Sequence, residues 1–332
     1  MRYLLFLIFV LLISLSLATS FVSNCTEVSK PGDYVLIKDL QFTKTPRVPW
    51  NPGDVCLRIS SSNVNLDCNG HSITGFNENR TRGVSFNQVQ NVSIENCLIS
   101  SFDLSIGLDE SLNVLISGNS LFSNVYLQDS NHYSSSQVSI TNNVFTNSSL
   151  SGWERYHNLT ITNNTFIDGG IYVALDSNSL ISNNVILEND YFCSYVSSLK
   201  TGNVVSNNSF SSSCQFYIEG EGLLFTNNSI SSNSSRNGLD ISRLKNSQII
   251  NNTICSSNLN RSTSYTNEYF DIYNSGIATN ITYINNTCDT SNPKHLCTKS
   301  CKGSDVLSKS NCPFSFILIG FIFLAFLRGK NQ

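Results

Sequence analysis

Val138-Ser139-Ile140-Thr141-Asn142-Asn143-Val144-Phe145 is followed by Leu159-Thr160-Ile161-Thr162-Asn163-Asn164-Thr165-Phe166. The shared phrase is apolar, any, apolar, any, Asn, Asn, any, apolar. It returns at Asn183-Asn184-Val185-Ile186, Asn207-Asn208-Ser209-Phe210, Asn227-Asn228-Ser229-Ile230, Asn251-Asn252-Thr253-Ile254 and Asn285-Asn286-Thr287-Cys288. Degenerate copies stand earlier, at Cys68-Asn69-Gly70-His71, Asn96-Cys97-Leu98-Ile99 and Gly118-Asn119-Ser120-Leu121. Most steps are 20 to 24 residues, a period that identifies a solenoid. Within each copy apolar residues alternate with Ser, Thr and Gln, a period of two that fits strands and excludes helices. The Leu-x-x-Leu-x-Leu frame of leucine-rich repeats is missing. Two or three short strands per turn and no helix leave an all-β, single-stranded parallel β-helix. Ten copies predict about ten coils and a rod roughly 45 Å long.

Parity breaks at the Asn pair, so the chain must bend there. Simple alternation places the first Asn of each pair inward, where stacked amides form a ladder between coils. Asn also tolerates the left-handed conformation of tight corners. The apolar residue beyond the pair predicts a second buried stack, Ile99, Leu121, Phe145, Phe166, Ile186, Phe210, Ile230 and Ile254.

Residues 1–20 have the plan of a secretory signal: Arg2, the apolar run Leu4–Leu17 and the small residues Ala18-Thr19-Ser20. Residues 21–62 are expected to form an N-terminal cap and first strands, 63–292 the β-helix, and 293–312 a Cys-containing linker. Residues 313–332 hold an apolar anchor helix, transmembrane or a sorting tail, with Phe314–Leu327 followed by Arg328 and Lys330. Fourteen helical residues span about 21 Å, short of the roughly 30 Å hydrocarbon core. Either form tethers the body to the membrane on its extracellular face, at the cell surface. Removing Arg2, Arg328 and Lys330 takes the formal charge from −3 to −6, which argues against nucleic-acid partners.

Eleven cysteines in an exported chain predict disulfides. Candidates are Cys56 and Cys68 flanking one strand, Cys193 with Cys214 one coil apart, and Cys255 with Cys288 around the long insertion. Thirteen Asn-x-Ser/Thr sites occur. Asn79, Asn147, Asn233 and Asn260 fall in loops or at edges and are the candidate glycosylation sites. Asn163, Asn207, Asn227, Asn251 and Asn285 are sequons only because an Asn pair precedes Ser or Thr, and an inward ladder would hide them.

The opening Lys30-Pro31-Gly32-Asp33-Tyr34-Val35-Leu36, with Cys56-Leu57-Arg58-Ile59 and Asp67-Cys68-Asn69-Gly70-His71-Ser72-Ile73, resembles right-handed parallel β-helix proteins of the pectate-lyase-like superfamily. The resemblance is to the group described as NosD-like or as carbohydrate-binding and sugar-hydrolysis repeats, and it covers residues 25–290. It implies a right-handed coil, and many such chains are tethered surface proteins. The fold hosts lyases, hydrolases, adhesins and spacers, so it does not fix function.

Chemistry-bearing clusters are scarce. Asp109, Glu110, Asp129, Asp176, Glu219, Glu221, Asp240 and Asp271 are scattered, most of them where a turn-capping carboxylate is expected. The four His are well separated, and the one Met is Met1, which speaks against a soft-metal site. His71 is expected as an inward core or cap residue. No cofactor or metal is implied. Outward positions in the strand after the Asn corner carry Tyr126, Tyr172 and Tyr217, with Trp153, Tyr156 and Tyr195 in intervening coils. Aligned, Tyr126, Trp153, Tyr172 and Tyr217 would form a stacking platform for sugar rings or for a surface protein. The expectation is a non-catalytic adhesin or glycan binder. Its rival is a polysaccharide lyase or hydrolase with a site built from loops 148–157 or 256–274, which would need carboxylates, or a carboxylate and a base, converging in one groove.

Overall fold

The computed structural model describes residues 19–43, 54–128, 137–187, 193–213, 215–232, 237–256 and 269–301, without the side chains of 128, 153 and 154. The signal segment up to residue 18, the apolar tail, Cys214, Asn233 and Asn260 lie outside them. Among the described residues no helix is long and apolar enough to cross a membrane.

One coil shows the design. Val138–Thr141 runs in the first sheet, Val144–Thr146 in the second and Leu150–His157 in the third, and the next coil repeats the circuit with Thr160–Thr162, Thr165–Ile167 and Ile171–Ser177. Every strand pairs in parallel with its counterparts in adjacent coils, giving sheets of 12, 10 and 12 strands. The ten copies of the repeat, seven with an Asn pair and three degenerate, mark nine full turns between the first and the last. The segment expected as an N-terminal cap and first strands joins the coil from its start. Ser20–Val22, Gly32–Leu36, Thr26–Val28, Asp54–Ile59 and Leu40–Gln41 already contribute to all three sheets.

The core is a set of stacks. Ile140, Ile161, Ile181, Val205, Phe225 and Ile249 pair in register along the first sheet and are buried. Ile99, Leu121, Phe145, Phe166, Ile186, Phe210, Ile230 and Ile254 do so along the second. The Phe145 and Phe166 rings stack with centroids 4.3 Å apart.

The corner between these sheets differs from the expectation by one residue. The second Asn of each pair is the buried one: Asn119, Asn143, Asn164, Asn184, Asn208, Asn228, Asn252 and Asn286. Each Nδ2 but that of Asn286 donates to Oδ1 of the next coil's Asn, from Asn119 to Asn143 at 3.0 Å through to Asn252 to Asn286 at 3.1 Å. It also donates to a carbonyl of the preceding coil, as Asn164 does to Ile140 at 2.8 Å. The first Asn is exposed and left-handed, with φ between 53° and 58° at Asn142, Asn163, Asn183, Asn207, Asn227, Asn251 and Asn285. That conformation reverses the chain's facing one residue earlier than strand alternation predicts. A second left-handed column, which sequence reading missed, bounds the other end of the first sheet at Asn91, Asn113, Gln137, Asn158, Asn178, Asn246 and Asn280.

His71 is not a core residue. The first copy carries two extra residues between its strands, so Ile73 takes the inward place and His71 lies half-buried with Nδ1 3.4 Å from Asp39 Oδ1. Backbone N–H donation from Ser72 holds the Asp39 carboxyl below its ordinary value.

The disulfides join Cys25 to Cys56, Cys68 to Cys97, Cys255 to Cys301 and Cys288 to Cys297. Cys56 and Cys68 are both bridged, each to a neighbouring coil and not across their shared strand. Cys255 and Cys288 do not close the insertion together; each reaches the C-terminal segment instead. Cys193 is also disulfide-bonded.

Candidate functional site

The outward positions of the third sheet form the most chemically varied face. Its residues pair in one continuous register: Tyr126 with Ser151, Ser151 with Tyr172, Tyr172 with Tyr195, Tyr195 with Tyr217, Tyr217 with Asp240, and Asp240 with Tyr273. Five half-buried tyrosines thus occupy one column at rung spacings of roughly 4.8 Å. They lie on the strand after the second sheet, not directly after the Asn corner. Tyr126, Tyr172 and Tyr217 take the aligned outward places expected of them, and Tyr195 joins them. Tyr273 was missed because the long insertion before it breaks the period. The side chain of Trp153 lies outside the described residues.

Tyr156 does not belong to the column. Register shifts after Gly152 and after Tyr156 turn it inward, where it is fully buried and its hydroxyl donates to the Leu127 carbonyl at 2.6 Å. Gly152 makes this possible, since a Cβ there would sit 2.7 Å from the Tyr156 ring.

Toward its C-terminal end the column opens into a cleft of about 370 Å³ lined by Tyr195, Tyr217, Glu219, Asp240, Arg243 and Tyr273. Glu219 follows Tyr217 by two residues and so emerges on the same face, paired in register with Arg243. The Tyr195 hydroxyl donates to Glu219 Oε1, and Arg243 Nη1 lies 3.4 Å from Oε2. Asp240 accepts from Gln215 Nε2 at 2.8 Å and from the Ser242 amide at 2.9 Å. Burial first, and the Glu219 carboxylate second, push the Tyr195 phenol up to about 12. It therefore remains a protonated donor near neutrality.

A second cluster stands at the far edge of the same sheet. Asp176, with only 1% of its side chain exposed, lies 2.8 Å from both His157 Nδ1 and Lys200 Nζ. Its Oδ1 is buried without a partner. This carboxylate was expected as a turn cap, and its role as the shared anchor of His157 and Lys200 was not visible in sequence because the three residues come from different coils. The carboxylate holds Nδ1 as the donating nitrogen of His157. Near the N-terminal end Arg82 reaches over Gly107 to Asp109 at 2.7 Å, in space a Cβ would fill. Among the described residues no three His, Cys, Asp or Glu side chains group to hold a metal ion.

Of the expected glycosylation sites, Asn79 and Asn147 are exposed and line one hollow of about 290 Å³ with Phe122.

The family model for the right handed beta helix region matches residues 125–254. No curated protein matches the chain. Among solved structures it is similar to the Dettilon tailspike protein, at 14% identity and TM-score 0.46, covering 82% of this chain and 54% of that one, about half the tailspike's length. It is similar to the A-module of the Azotobacter vinelandii mannuronan C-5 epimerase AlgE6, at 11% identity and TM-score 0.48, covering 86% and 87%. It is also similar to PfbA, a surface adhesin of Streptococcus pneumoniae, at 11% identity and TM-score 0.45, covering 82% and 84%. The fold is a right-handed parallel β-helix.

Proposed function

We propose that the chain is an exported surface protein whose third sheet binds glycan chains laid along the rod, without catalysing their turnover. The observation that carries this reading is the tyrosine column. Tyr172, Tyr195 and Tyr217 stand on three successive rungs, half-buried and facing outward. Amphipathic, rigid rings in a row offer stacking faces and hydroxyl donors at low conformational cost. The disulfides support an oxidising, extracellular setting.

One observation favours the rival reading of a polysaccharide-active enzyme. The cleft gathers Glu219, Asp240, Arg243 and Tyr195, the kind of convergent group an enzyme needs. Their partners favour binding. Both carboxylates already accept hydrogen bonds from neighbouring coils, and a phenol at about 12 is a poor base near pH 7.

A glycan array probed with the secreted body tests the proposal. Binding should appear, and Tyr195→Ala and Tyr217→Ala should each weaken it roughly tenfold, about 1.4 kcal/mol. The absence of any array signal sinks the glycan reading. Product release from any bound glycan, abolished by Glu219→Gln or Asp240→Asn, would replace it with the enzymatic one.

A further inference from the structure

We propose that the corner between the first and second sheets is a row of N-glycosylation sites, at Asn163, Asn207, Asn227, Asn251 and Asn285. Each is the first residue of an Asn-Asn-Ser/Thr sequon. Each is exposed, while the residue after it is the buried ladder Asn. The hydroxyl residues that complete the sequons, Thr165, Ser209, Ser229, Thr253 and Thr287, also stand on the outer side, half-buried or exposed. The acceptor amide and the recognition hydroxyl therefore emerge together, and only the middle residue turns inward.

The amides themselves are uncommitted. Among the described residues, none of these five side chains makes a hydrogen bond. On the opposite corner the sequon residues Asn91 and Asn280 donate their Nδ2 to Asn63 and Asn246, at 2.9 and 2.7 Å. The ladder is untouched by modification, because it runs through Asn164, Asn208, Asn228, Asn252 and Asn286.

The transfer joins Asn Nδ2 to the anomeric carbon of an oligosaccharide. That carbon's bond to the phosphate of a lipid-linked donor breaks, the lipid phosphate leaves with the bonding electrons, and the amide nitrogen loses one proton and keeps the other. Rung spacing then limits occupancy. Asn207, Asn227, Asn251 and Asn285 lie on four successive rungs roughly 4.8 Å apart. Neighbours that close compete for space, so the row fills at alternate rungs. Asn163 is separated by the rung of Asn183, whose Asn-Asn-Val sequence is no sequon.

Intact glycopeptide mass spectrometry of the full chain, secreted from a host that N-glycosylates, tests the row. Glycan-bearing peptides are expected at Asn163 and at non-adjacent members of the run. Asn227→Gly keeps the left-handed corner, since Gly adopts positive φ freely, and it should raise occupancy at Asn207 and Asn251 measurably. Thr165→Ala should remove the glycan at Asn163 without unfolding the body. Unmodified corner peptides, whether or not Asn79 and Asn147 carry glycan, overturn the proposal. Full simultaneous occupancy of adjacent rungs would uphold the row and refute the competition between neighbours.

Discussion

Asn163 and Asn164 are neighbours with opposite tasks: one opens the corner in a left-handed conformation, the other ties three coils together. Asn164→Ala removes the Nδ2 donor to Ile140 and Asn184, and the Oδ1 acceptor for Asn143. Buried groups left unpaired cost about 1–3 kcal/mol each, so urea unfolding should show a loss of roughly 2–4 kcal/mol. Asn163→Gly, on the exposed side, should change stability by a few tenths of a kcal/mol, whereas Asn163→Val should lose about 1–2 kcal/mol to left-handed strain. Tyr195 supplies a pH dependence. Its folded-state value of about 12 lies above the ordinary 10.0, so its contribution is complete below pH 10 and lost as pH rises toward 12. A stability-against-pH curve should fall in that window, and Tyr195→Phe should flatten it. The ladder was legible in the repeated Asn pair, but which Asn faces inward was not. Alternation carries no information about where a single positive φ resets the parity.

At the level of strands, the first two sheets are regular and the third is not. Strands such as Thr160–Thr162 and Thr165–Ile167 have three residues, and those of the third sheet reach eight in Leu150–His157. Register irregularities fall at Leu104/Ile106, Gly152/Arg155 and Tyr217/Glu219, all in that third sheet. The regular strands were therefore legible down to the identity of each stacked residue. The irregular ones were legible only where an aromatic recurred in phase, as at Tyr172 and Tyr217, while the bulge that buries Tyr156 leaves no mark in composition. Regularity also has an energetic consequence. Phe166 is fully buried and stacked on Phe145, so Phe166→Ala should cost about 3–5 kcal/mol, measured by chemical denaturation. Phe166→Asp should prevent folding, because an unpaired charge would sit between coils.

Taken as a whole, the molecule is a rod whose coils touch only their neighbours, with four disulfides grouped at its two ends and Cys193 bonded between them. Bridges closing segments of 31, 29 and 46 residues are each expected to contribute roughly 3–4 kcal/mol. Under mild reductant, hydrogen exchange should therefore quicken first in residues 20–97 and 253–301, while Val138–Leu187 stays protected; uniform loss of protection would show that the rod unfolds as a single cooperative unit. The tyrosine column proposed to bind glycans and the corner proposed to carry them lie on different sides of this rod, so modification leaves the column open. The end bridges have a further consequence under mechanical load. Strands lie across the rod axis, so tension along that axis peels one coil at a time rather than shearing many hydrogen bonds at once. Each peeled coil frees 20 to 24 residues, about 70–80 Å of contour. Covalent links between adjacent coils at the ends block the first steps of that peeling, so a pulled rod should hold its length until force reaches an unbridged coil, then lengthen coil by coil, with a pause where the bonded Cys193 is met, like a ratchet paying out line.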